Sequence, residues 1–221
     1  MAETTAQPSA AMSPGEEEAV FYHESALNSS WTGVRLALGG LSFLFGSFVF
    51  AFFYLKSLNS HHLWYTTASH PQSSFGVTIM VLIVVSAAVQ TLALQRIKAG
   101  TRGPWLAGAT LALVLGLVAI ALQLWQLAAL PFWPGASGFA SVFVGFQPVF
   151  VAVVFCVLVW LEILITRCRG IPEISFVEQP PTYAEAFAVQ RFQASLSAFT
   201  LCWNYIAVVA FLFWLLFYVV H

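Results

Sequence analysis

The chain has 221 residues, of which 60% are hydrophobic and 8% charged, with a formal net charge of -1 at pH 7. A soluble domain carries about 25% charged residues, so composition excludes an ordinary soluble globule, and the absence of a basic excess excludes a nucleic-acid partner. A mean hydropathy of +0.84 fits a chain that lies mostly in lipid.

In chain order, residues 1–32 come first. They contain Glu3, Glu16, Glu17, Glu18 and Glu24 and no Lys or Arg. A secretory signal starts with positive charge followed directly by an apolar core. The Ala, Pro, Ser and Glu content reads instead as an acidic, flexible tail.

Residues 33–221 form a single transmembrane domain. A bilayer core about 30 Å thick needs roughly 20 apolar residues to span it. Five runs meet that length, at about 33–55, 75–94, 104–130, 139–166 and 198–220. Each must be helical, because a span surrounded by lipid can satisfy its backbone only internally. The expected fold is all-α, a polytopic bundle of five transmembrane helices.

The links between spans fix its orientation. A polar loop with His61, His62 and His70 joins the first two spans, and the basic "QRIKAGTRGP" joins the second to the third. "PFWPGASG" is a short turn. The longest link passes Pro172, Pro180 and Pro181 and turns helix-like from Tyr183. Five spans put Arg35, Arg96, Lys98, Arg102, Arg167, Arg169 and Arg191 on one side and only Lys56 on the other. Positive charge stays in the cytoplasm, which predicts a cytoplasmic N-terminus and a periplasmic or extracellular C-terminus.

Helices in lipid associate through close packing and polar contacts. The third span carries Gly108, Ala112 and Gly116 at four-residue spacing, and the first carries Gly39, Ser42 and Gly46. Both are expected to be helix contact faces. The second span adds Ser86, Ala87, Ala88, Gln90 and Thr91. Small-residue faces identify a bundle, not an activity.

Ionisable residues inside a span are functional candidates by default. Glu162, in "VWLEILITRCR", is the one acid that qualifies. It is either an anchor that pairs with Arg167 or Arg169 or reaches the interface, or a group with a proton or lipid role. The remaining polar residues are amides and hydroxyls, including Gln123, Gln126, Gln147 and Asn204. Amides donate and accept hydrogen bonds but do not exchange protons near neutral pH, so helix-to-helix bonding is the expected role. Cys156, Cys168 and Cys202 form no CxxC pair, and no two His sit at i, i+4 in a span. The chain therefore offers no metal or haem ligand set of its own. It has no Walker A, GxSxG or GxGxxG motif and no catalytic constellation.

Four segments share one pattern. The first span ends "GSFVFAFFYLK", the third reads "GLVAIALQLWQL", the fourth begins "SVFVGFQPVFV", and the fifth contains "LCWNYIAVVAFLFW". In order and spacing, from about Gly33 to His221, these resemble subunit III of the haem–copper oxidases (cytochrome c oxidase subunit III) in its five-helix bacterial form. Gln123 and Trp125 match the family's "GLQ-x-[YW]", Gly145 and Phe146 its "GFHGxHV", and Trp203 the tryptophan of its last helix. The departures remove titratable groups. Asn204 and Ala207 replace a His and an Asp, Gln147 and Phe150 replace two His, Gln126 replaces a Glu, and a buried carboxylate is missing near Leu41 and Ser42.

The resemblance implies a non-catalytic subunit of an aerobic respiratory oxidase in the bacterial inner membrane. It implies partnership with oxidase subunits I and II, which would hold the haem and copper, and leaves membership of a larger respiratory supercomplex open. It also implies phospholipid in a cleft between the first two helices and the rest. The altered positions leave a scaffold without the family's proton-carrying side chains. Ser42, Gly46, Gly108, Ala112, Gly116, Gln126, Gln147, Glu162, Trp203 and Asn204 are the expected packing or lipid contacts. Two alternatives remain open: an accessory subunit of a quinol oxidase or nitric oxide reductase, and a small transporter.

Overall fold

The computed structural model describes residues 14–59, 64, 71–171, 176 and 183–220. These residues form five α-helices: α1 (Pro14–Ser57), α2 (Ser73–Lys98), α3 (Arg102–Ala128), α4 (Gly138–Arg169) and α5 (Tyr183–Tyr218). All five are long and apolar enough to cross a membrane. The histidines of the first loop and the prolines of the last link lie outside the described residues, as do residues 1–13.

The largest difference from the sequence reading is at the start. α1 begins at Pro14, inside the segment read as a tail, and its membrane-length apolar part is Leu27–Ser57. The fixed φ of Pro suits a first helical turn, where its missing N–H costs nothing. In sequence, acidic residues soon after a proline also suit the positive end of a helix dipole. The same acidic composition that suggests disorder also favours a helix start.

Other boundaries follow local chemistry. Gly100, at φ 81°, takes the left-handed conformation that ends α2, and the Thr101 hydroxyl donates to the Arg96 carbonyl at 2.7 Å. The Ser137 hydroxyl accepts the Ala140 N–H at 3.0 Å and caps α4. α4 runs on through Pro148, where the missing backbone donor is tolerated in a spanning helix.

α5 is the hub. It packs against α1, α2 and α4, while α3 bridges α2 and α4. In their apolar windows 56% of α5 is buried but only 11% of α1, so α1 forms the edge. α1 and α2 share no substantial contact: α1 leans on α4 and α5, and α2 on α3 and α5. The first two helices therefore do not form the pair that the resemblance implies on one side of a lipid cleft.

Aromatic rings fill both ends of the bundle. Away from the basic links, Phe146 on α4 stacks on Phe213 on α5 with centroids 3.9 Å apart, and Phe52 on α1 meets Trp64 edge-on at 4.9 Å. At the basic end, Trp105 and Phe192 meet at 5.4 Å, and the Arg102 guanidinium donates to the Arg169 carbonyl at 2.8 Å. Lipid supplies little hydrophobic drive between helices, so such packing holds them together. Each aromatic pair adds about 0.5–1.5 kcal/mol beyond burial.

Candidate functional site

Among the described residues, the buried polar side chains Ser86, Gln90, Gln123, Gln126 and Gln147 fall into two groups between helices, while Ser137, Ser195 and Thr200 lie apart from them. The first is centred on Ser86 of α2, which is fully buried. Its hydroxyl donates to the Ala112 carbonyl on α3 at 2.7 Å and accepts the Trp203 indole N–H from α5 at 3.1 Å. A serine has one proton to give and lone pairs to receive, so one side chain joins three helices. Ala112 thus contributes a carbonyl as well as a small side chain. Trp203 is fully buried, with its only polar atom satisfied.

Next to Trp203 on α5, Asn204 faces Thr91 of α2, with Oγ1 and Oδ1 3.2 Å apart. The Thr91 hydroxyl also donates to the Ala87 carbonyl at 2.9 Å. A single proton cannot serve both acceptors well. Turning the Asn204 amide over lets its nitrogen donate to Oγ1, and the two amide orientations are distinguished only by such networks. Beside it, the Tyr205 hydroxyl lies 3.0 Å from that of Ser42 and ties α5 to α1. Gln90 follows Ser86 by one turn, is fully buried, and has no partner for either amide atom.

The second group lines a cavity of about 40 Å³ between the ends of α2, α3, α4 and α5 away from the basic links. Gln123 of α3 donates its amide N–H to the Gln147 carbonyl of α4. Gln126 donates to the Tyr218 hydroxyl of α5 at 2.7 Å. Gly76 makes room for that hydroxyl: a Cβ there would stand 2.2 Å from the Tyr218 ring. No charged side chain lines the cavity. The arrangement can orient a small dipolar molecule, and its lining offers no carboxylate, imidazole, amine or thiol.

The small-residue faces divide. Gly108 is pressed against α2, where an added Cβ would lie 2.8 Å from the Ala93 Cβ. Gly116 faces α4, with Leu158 Cδ2 at 2.6 Å. The α3 face therefore serves two neighbours. Gly39 and Gly46 correct the reading of α1: both are exposed, and an added Cβ would meet nothing within 4 Å. α1 turns Val34, Phe45 and Phe52 inward instead. Ser42 does contact α5, but from the edge of that seam.

Glu162 is exposed on α4 and makes no ion pair with Arg167 or Arg169, so the anchoring pair is not formed. Cys168 and Cys202 are buried and Cys156 is exposed, all as free thiols. Among the described residues no three His, Cys, Asp or Glu side chains converge. Of the expected residues, the fold joins Ala112 to Trp203 through Ser86, and Gln126 to Gln147 through one cavity.

Tyr205, Trp214, Tyr218 and Gly76 were missed as site residues. Tyr205 adjoins Trp203 and Asn204, and Trp214 and Tyr218 are four residues apart on α5, so spacing carried some signal for these three. Gly76 carried none. No protein-family model matches the chain, and no curated protein matches it.

Proposed function

We propose that this chain is a non-catalytic accessory subunit of a membrane electron-transfer complex, of the type that subunit III provides in haem–copper terminal oxidases. The observation that carries the reading is the nature of the buried polar set. Among the described residues every buried polar side chain is an amide or a hydroxyl, and most bond across or along helices. Such a set holds helices in register and contains no group that titrates near neutral pH. The resemblance in the four quoted segments supplies the family, and the thinly buried α1 leaves one flank of the bundle for lipid or another subunit.

On this reading the chain lies in the bacterial inner membrane with its N-terminus in the cytoplasm and its C-terminus in the periplasm. It stabilises subunit I, contacts subunit II and phospholipid, and leaves haem and copper to those partners. Purification of the tagged chain from its native membrane in mild detergent tests the proposal. A large haem-bearing subunit should co-elute, with a haem spectrum that also identifies the class of oxidase. Isolation as a stable haem-free species with no such partner refutes it.

A further inference from the structure

The cavity at the end of the bundle away from the basic links gathers polar groups that still need partners. Gln126 is 4% exposed, and while its amide nitrogen bonds to Tyr218, its carbonyl oxygen has none. Trp214 lines the same cavity, and its buried indole N–H has no acceptor. The bond between Gln123 and Gln147 uses Nε2 of one and Oε1 of the other, which leaves an acceptor on the first and a donor on the second.

The missing partner must therefore both donate and accept. A lipid tail does neither, and an ion finds no opposite charge in the lining. A single water needs about 10–15 Å³ and two to four polar partners, and the cavity offers about 40 Å³. Gln126 also borders a recess of about 430 Å³ formed with Gln72, Ser73 and Pro131 at the helix ends. One side chain is thus shared by the interior cavity and the recess that reaches the surface of the bundle.

We propose that this cavity is an internal hydration site, holding water between the Gln126 carbonyl and the Trp214 indole and filled from the recess past Gln126. The water completes the polar lining where α2, α3, α4 and α5 meet. This inference concerns the folded chain alone and does not depend on the partners proposed above.

The test is water–protein cross-relaxation in the full chain in detergent micelles, with nitrogen-15 in the tryptophan indoles. Trp214→Phe identifies the Trp214 resonance by its loss. The wild-type indole proton should show a cross-peak to water with the sign of a long-lived bound molecule. Gln126→Leu removes the acceptor, and Ala210→Leu fills the cavity from α5 without altering an amide. Either change should reduce the cross-peak several-fold, and the second decides if the first does not fold. A wild-type indole with no water cross-peak, or a cross-peak undiminished by the changes, overturns the proposal.

Discussion

Gly108→Ala is the sharpest test of how α2 and α3 meet. The new methyl would sit 2.8 Å from the Ala93 Cβ, against an ordinary carbon–carbon contact of about 3.5–4.0 Å. Neither group has a flexible end that can swing aside. Relief must come from moving the helices apart by roughly 1 Å, which also stretches the Ser86–Ala112 bond, 2.7 Å long, one turn further along the seam. Overpacking of this kind costs about 1–3 kcal/mol. Replacing Gly by Ala in a helix returns about 0.8–1.0 kcal/mol. Gly46→Ala gains the same return but meets nothing within 4 Å. The propensity contribution cancels in the comparison, so Gly108→Ala should be less stable than Gly46→Ala by about 1–3 kcal/mol. Equilibrium unfolding in mixed micelles titrated with SDS measures the difference. Equal stabilities, or a more stable Gly108→Ala, would refute the close approach of α2 and α3.

Other outcomes follow from the same contacts. Ser86→Ala strands the buried Trp203 N–H, so it should cost about 1–3 kcal/mol in the same unfolding assay; a neutral result would mean that this hydroxyl does not join the helices. Asn204→Leu should cost about 1 kcal/mol, because Thr91 keeps its bond to Ala87. If that change abolished turnover in a fully assembled complex, the framework role of Asn204 would be wrong. Glu162→Gln should shift stability by no more than about 0.5 kcal/mol, as for exposed sites without partners, and a large loss would point to an ion pair. A tag at His221 should be modified only from the non-cytoplasmic side, and labelling from the cytoplasm alone would invert the topology.

The sequence by itself determined the spans. A lipid-crossing segment needs length and apolarity, both one-dimensional properties, and all five runs became helices, with α1 and α5 starting well before theirs. Tyr183 as the start of the last helix was readable for the same reason. The early start of α1 was also written locally, in Pro14 and the acidic run after it, but acidic composition gave an equally consistent reading as a tail. Tertiary structure alone decided which faces are packed. Gly46 and Gly108 look alike in a sequence, each in a run of small residues at helical spacing. One faces outward and the other touches Ala93, because α5 takes the centre of the bundle and α1 its edge. The partners of the amides were hidden for the same reason. Gln123 meets Gln147, and Gln126 meets Tyr218, only once four helices converge, and no local pattern specifies contact between residues 92 positions apart.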